Sequence, residues 1–229
     1  AEHLSISNNL IEISKDDKHD IMSIIKLLGI PLLKAKGEAD FLCCKLCKEG
    51  IADAIISEDM DMLVHDGSKI LIRDIDGSSY NDGLVTVFSL DIILKELQLT
   101  KEQFIDLCIL LGCDYTGVIK NIGPVCALSN IKKYGTIENM INQLDINQTI
   151  LKDCDYVTAR NMFYSSNNES INNFCFNSID KSVKNFLLEK TSYRNKTIDD
   201  KLNIITTFYK YLQQNQITNI ITNISDSTN

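Results

Sequence analysis

Five carboxylates stand where they could do chemistry: Glu38 and Asp40, Asp59 and Asp61, and Asp114. In Ser57-Glu58-Asp59-Met60-Asp61 the aspartates are two apart, just past the run Asp53-Ala54-Ile55-Ile56, which has strand length and β-branched content. At ~4 Å two carboxylates repel by about 4 kcal/mol when the effective dielectric is near 20. A divalent cation held by oxygen ligands would offset that repulsion, and an acidic loop open to water would avoid it. Both readings fit these five residues alone. Glu38 and Asp40 fall in the first turn of an expected helix, where acids suit the dipole in any case. Asp114 follows a helix closing at Gly112, a position where aspartate commonly caps or turns the chain. Five acids gathered at element ends have a further use. Two ions roughly 3.5–4 Å apart can activate a water and stabilise the leaving oxygen of a phosphodiester.

The elements that must hold these acids follow from periodicity. Apolar residues at Ile21, Ile24, Ile25 and Leu28 predict a helix over 16–28, ended by Gly29. Ile30-Pro31-Leu32-Leu33 reads as a short strand, and a helix runs from about Glu38 to Glu49 before Gly50. Strands follow at 53–56, 69–75 and 84–88, so the acidic turn lies at the carboxyl end of one of them. Strands alternating with helices predict an α/β layer with a largely parallel sheet.

Beyond Ser89 the pattern is helical. One helix starts at Ser89 or Asp91, and Thr100-Lys101-Glu102-Gln103 forms a capping box that opens another to Leu111. Gly123-Pro124 begins a helix ending at Tyr134-Gly135, and Thr136 caps one more to about Leu144. Ile119-Lys120-Asn121-Ile122-Gly123-Pro124 has the form of a helix-hairpin-helix, whose backbone N–H groups meet phosphate, or of an ordinary αα-corner. From 145 to 179 the pattern weakens: Ser165-Ser166-Asn167-Asn168 reads as a loop and Phe174-Cys175-Phe176 as a short strand. Helices return at 182–188 and 199–212, and the Asn/Thr-rich tail from Gln213 is expected to be mobile.

With 229 residues and 44% hydrophobic content the chain can bury one core, and no apolar run approaches membrane-spanning length. Its net charge of −8 argues against a broad non-specific grip on nucleic acid but not against a nucleic-acid enzyme, since acids gather at metal sites. Among the eight cysteines, Cys43, Cys44, Cys47 and Cys108 sit at apolar helical positions, and the set shows no regular framework, which predicts reduced thiols in an intracellular protein. Cys44-Lys45-Leu46-Cys47 lacks the second pair that a zinc site needs and reads as helix packing.

Gly29-Ile30-Pro31, Gly37-Glu38-Ala39-Asp40, Ser57-Glu58-Asp59-Met60-Asp61 and Leu107-Cys108-Ile109-Leu110-Leu111-Gly112-Cys113-Asp114-Tyr115 occur in an order and spacing that resembles the flap endonuclease/XPG family of structure-specific 5′ nucleases. The similarity runs from about Ile13 to Leu144 and more weakly to about Leu212. The resemblance implies a PIN-like α/β core over 13–89, a helix-two-turn-helix DNA-binding region over 90–145, and a C-terminal extension over 146–212 packing on the core. It further implies cleavage of branched DNA near a 5′ flap with two Mg2+ ions, Mn2+ being a substitute. Glu38 and Asp40 would serve one metal position, and Asp59, Asp61 and Asp114 the other. Lys120, Asn121, Ile122, Gly123, Lys132 and Lys133 would hold DNA.

Several departures qualify that expectation. The acid-bearing first strand and the helical arch of the family do not precede Ile13, so the chain resembles the C-terminal two-thirds of such a nuclease. Those parts are expected in the parent chain or a partner. Asp40 stands where glutamate is usual, Asn121 where glycine is usual, Val118 where a potassium-binding serine is usual, and Val125-Cys126 where basic residues are usual. No sliding-clamp motif is visible. A junction-binding scaffold without cleavage and a PIN-like RNase are the alternatives. The expected location is the nucleus, or a cytoplasmic replication site for a large DNA virus.

Overall fold

The computed structural model describes residues 13–75, 85–117, 119, 122–144, 154–165, 171 and 175–214, with side chains to 211. These fall into two compact units, one within 35–169 and one made of the segments before 35 and after 169.

The 35–169 unit opens with helix α2 (Ala39–Lys48), which buries Leu42 and Cys44. Strand β1 (Ile55–Ile56) follows, then a 3-10 turn at Met60–Leu63, β2 (Ile70–Arg73) and β3 (Thr86–Ser89). β1 and β2 are parallel, with Ile55 opposite Leu71, while β2 and β3 are antiparallel, with Leu71 opposite Phe88. The sheet is therefore mixed. The 74–85 link is polar and carries Gly77 and Gly83, a composition that suits a return loop better than the helical crossover a parallel partner needs. The row Ile55, Leu71 and Phe88 faces the core, Leu71 being wholly buried. Of the strand expected at 84–88, Leu84 lies outside the described residues.

Helices α3 (Leu90–Leu97) and α4 (Lys101–Leu111) come next. The predicted capping box is present: Thr100 Oγ1 accepts from the Gln103 amide at 3.2 Å and Gln103 Oε1 from the Thr100 amide at 3.0 Å. Phe104, Ile105, Leu107, Ile109 and Leu110 are all buried, so α4 is apolar round most of its girth. Each such side chain contributes about 1.5–3 kcal/mol on burial. Helices α5 (Pro124–Tyr134), α6 (Ile137–Gln143) and α7 (Tyr156–Tyr164) follow among the described residues of the unit, with Ala127, Ile131, Ile137, Met140, Ala159 and Phe163 fully buried. α7 arises in the stretch whose periodicity was too weak to predict an element.

Asp106 joins three of these helices. It is buried on α4, accepts from the Ile137 amide at the start of α6 at 3.1 Å, and accepts from Arg160 Nε on α7 at 2.8 Å. Arg160 also grips Glu138 through both terminal nitrogens, at 2.7 and 3.1 Å. A buried carboxylate is costly unless it is paired and hydrogen-bonded, and here it is both.

In the other unit, α1 (Lys15–Leu27) is capped by Ser14 and Asp17, and α8 (Val183–Lys190) and α9 (Asn195–Gln214) lie further along the chain. The strand expected at Ile30–Leu33 joins no ladder among the described residues. Pro31 lacks a donor, and the backbone just before it is already engaged. The carbonyls of Leu27, Leu28 and Gly29 accept from Asp180, the Tyr209 hydroxyl and Asn177 at 2.7–2.8 Å. Cys175 and Phe176 are not in a strand, and Phe174 lies outside the described residues. α9 starts one turn earlier than predicted, at Asn195.

Candidate metal centre and nucleic-acid interface

Three separate elements carry the five acids. Glu38 is the N-cap residue of α2 yet makes no side-chain capping bond, so its exposed carboxylate is not spent on the helix. Asp40 sits half-buried in the first turn. Asp59 and Asp61 follow β1. There Ser57 Oγ accepts from the Asp59 amide at 3.1 Å and Asp59 Oδ1 accepts from the Asp61 amide at 2.9 Å, so Asp59 caps the 3-10 turn. Glu58 is held apart by Arg73, with Nε and Nη2 both 3.2 Å away, and by the Asp74 amide at 3.0 Å. Asp114 lies in a tight turn closed by a bridge between Cys113 and Thr116.

These groups share one electrostatic environment. Burial first, then the charges of Asp59, Asp114 and Asp40, push the Asp61 carboxyl above the ordinary carboxylate range. Burial, then Asp40, Glu38, Asp61 and Asp114, push the Tyr115 phenol up to about 12. Every predicted acid is thus felt at Asp61 or Tyr115.

All five donors are carboxylate oxygens, the ligand type of a hard divalent cation, and a cation would relieve the repulsion that Asp61 records. Among the described residues no three His, Cys, Asp or Glu side chains stand close enough to form a ready coordination shell. The donor chemistry fits a divalent ion, while the carboxylates are neighbours through their fields rather than a closed cage.

The expected DNA-binding residues divide. Lys120 and Asn121, with Val118, lie outside the described residues. Ile119 is buried, and the Ile122 amide turns back to its carbonyl at 3.4 Å. Gly123 caps α5 ahead of Pro124, and a Cβ built there would meet nothing within 4 Å. Lys132 and Lys133 are exposed in the last turn of the same helix, about 14 Å along its axis from Gly123 at 1.5 Å per residue. Gly123 and this lysine pair are therefore too far apart to meet one phosphate. Val125, beside the helix start, is 85% exposed, so an apolar surface stands where basic residues would grip.

Tyr115 lies one residue beyond Asp114 and His65 four beyond Asp61, and that proximity to the acidic motifs is the one signal the sequence offers for either. Asp106, Glu138 and Arg160 gave no sequence signal, because their pairing spans helices distant in the chain. Cys44 of the Cys-x-x-Cys pair is buried and its thiol is pushed up to about 12, chiefly by burial.

Residues 29–114 match the family model of the XPG I-region. The chain is 39% identical over 168 residues to flap endonuclease 1 of Cryptosporidium muris, covering 69% of this chain and 35% of that protein. It is 40% identical over 158 residues to flap endonuclease 1 of Xiphophorus maculatus, covering 69% and 41%. The chain thus spans well under half the length of these curated relatives. Among solved structures, human GEN1 in complex with Holliday junction DNA aligns at TM-score 0.71 and 22% identity, over 87% of this chain and 54% of that one. That likeness shows the fold, the PIN-like α/β architecture of the 5′ nucleases. Residues 29–114 thus match the XPG I-region, and over 69% of its length the chain is similar to flap endonuclease 1.

Proposed function

We propose that this chain supplies the larger part of the active site of a divalent-metal-dependent, structure-specific 5′ nuclease that cuts branched DNA near a 5′ flap. One observation carries the reading: α2, the β1 turn and the Asp114 turn hold all five acids within the stretch 29–114 that matches the XPG I-region. Glu38, Asp40, Asp59, Asp61 and Asp114 would hold the ions, Mg2+ or Mn2+, which when bound supply an activated water and stabilise the leaving oxygen. Asp59 keeps its turn in shape by accepting from the Asp61 amide, which fixes the spacing of those two donors. Arg73 holds Glu58 away, so that carboxylate does not compete for the ions. The helical segment 90–145 is the proposed DNA-binding region, through Lys120, Asn121, Ile122, Gly123, Lys132 and Lys133. Its partner would be branched or flap duplex DNA, met in the nucleus or at a cytoplasmic replication site.

The test uses the longest natural protein that contains this chain, with a 5′-flap duplex and Mg2+. Asp59→Ala and Asp114→Ala should each abolish cleavage while leaving flap binding intact. Unchanged cleavage in either variant would overturn the assignment. A second reading, a junction-binding scaffold without cleavage, draws on the open spacing of the carboxylates. It predicts tight flap binding by that protein with no cleavage in Mg2+ or Mn2+.

A further inference from the structure

Lys101, in the first turn of α4, is half-buried, and its ammonium turns onto backbone rather than out to water. Nζ donates to the Leu63 carbonyl oxygen at 2.8 Å and to that of His65 at 3.5 Å. The ring centroid of Phe104, one turn further along, lies 5.9 Å from the same nitrogen, close enough for a cation–π contact.

Those carbonyls belong to the end of the acidic turn. Asp59 caps its start, where Oδ1 accepts from the Asp61 amide at 2.9 Å, and the Val64 amide bonds back to the Asp61 carbonyl at 2.9 Å. Met62, Leu63 and Val64 are buried, so the turn has its back to the core. A helical turn leaves its last carbonyls without partners of its own, and a buried carbonyl without a donor is costly. A cation is the favoured partner at that end. Lys101 meets both needs from 38 residues beyond Leu63. The next tether leads elsewhere: the Asp66 amide donates to the Phe163 carbonyl on α7 at 3.1 Å.

The same helix leads to the third acidic element. It runs 11 residues to Leu111, about 16 Å at 1.5 Å per residue, and Asp114 follows in the bridged turn beyond Gly112. Phe104, Ile105, Leu107, Ile109 and Leu110 bury its body in the core. A helix fixed in that way, tied at its start to one acid-bearing turn and running on into another, sets the two turns relative to each other. We propose that Lys101 is a positioning residue: its Nζ, donating to the Leu63 and His65 carbonyls, fastens the turn that carries Asp59 and Asp61 to the helix that leads to Asp114. What that placement serves rests on the nuclease reading; the fastening itself does not.

The experiment has two arms, each with Lys101→Met, which keeps the apolar stem, and Lys101→Arg, which keeps a cation and its donors. In the first, amide hydrogen exchange is followed by NMR on the 229-residue chain. In Lys101→Met the Asp61, Val64 and His65 amides should exchange about tenfold faster, while those of Ala127 and Ile137 keep the parent rates. Unchanged exchange in the turn, or a uniform rise across the chain including outright unfolding, would overturn the proposal. In the second, the longest natural protein that contains this chain cuts a 5′-flap duplex in Mg2+. Lys101→Met should lower kcat about tenfold or more with KM little changed, since misplaced groups cost rate, and Lys101→Arg should recover most of it. Unaltered kinetics, a rise in KM alone, or equal losses in the two variants would remove the positioning role. If the parent cuts no flap, the nuclease reading fails and the kinetic half of the proposal with it. The exchange arm still decides the fastening.

Discussion

Asp61 carries the tension of the acidic site, because burial and three neighbouring carboxylates all disfavour its charge. Repulsion of this kind destabilises the ion-free protein and favours whatever cation enters. Asp61→Asn keeps the shape and removes the charge, so the two effects should separate. In EDTA the variant should unfold at a denaturant concentration above that of the parent, with stability greater by about 1 kcal/mol, within the usual span of single substitutions. Its affinity for Mn2+ should fall at least tenfold. Parallel denaturation and Mn2+ titration check both, and lower stability in EDTA would mean that Asp61 is not repelled. The acids themselves were legible in the sequence, since type and spacing define a donor set. Their failure to close into a cage was not, because side-chain convergence depends on how three elements meet.

The Asp106–Arg160–Glu138 clamp decides how α4, α6 and α7 are held together. Arg160→Ala leaves Asp106 buried with its charge uncompensated, which should cost about 3–5 kcal/mol in equilibrium unfolding. The clamp also predicts a pH response. Hydrogen bonding to Arg160 holds the Glu138 carboxyl below its ordinary value of 4.5. Stability from this group is therefore fully present above 4.5 and is lost as pH falls through the lower folded value. The stability gap between the parent and Glu138→Gln should narrow in that acidic window. Asp106 has the opposite sign: burial raises it above 3.8, so its ionisation costs stability as pH rises through the folded value. In the other unit, Gly29 has φ +75° and a Cβ there would lie 2.2 Å from the Asn177 carbonyl oxygen. Gly29→Ala should cost about 2–3 kcal/mol, measured by denaturation, because the obstacle is backbone. Capped, strongly periodic helices such as α4 and α5 were readable from sequence because their signals are local. The antiparallel turn of β3 and the lost strand at Ile30–Leu33 were not, because pairing is chosen by partners far along the chain.

At the scale of the whole molecule, a net charge of −8 must coexist with a proposed grip on a polyanion. That grip would rest on few lysines, so its dependence on salt should be shallow. Lys132→Ala and Lys133→Ala should each weaken flap binding across sequences and reduce the slope of log affinity against log salt by about 1. A slope unchanged in the double variant would remove these residues from the interface. Salt acts differently on the clamp. Screening shortens the reach of exposed charges to about 3 Å at molar ionic strength, but it touches buried pairs far less. The Asp106 side chain is only 4% exposed against its Arg160 partner. Concentrated salt should therefore leave the helices fastened, so that the protein stays folded in brines that dissolve contacts between exposed charges.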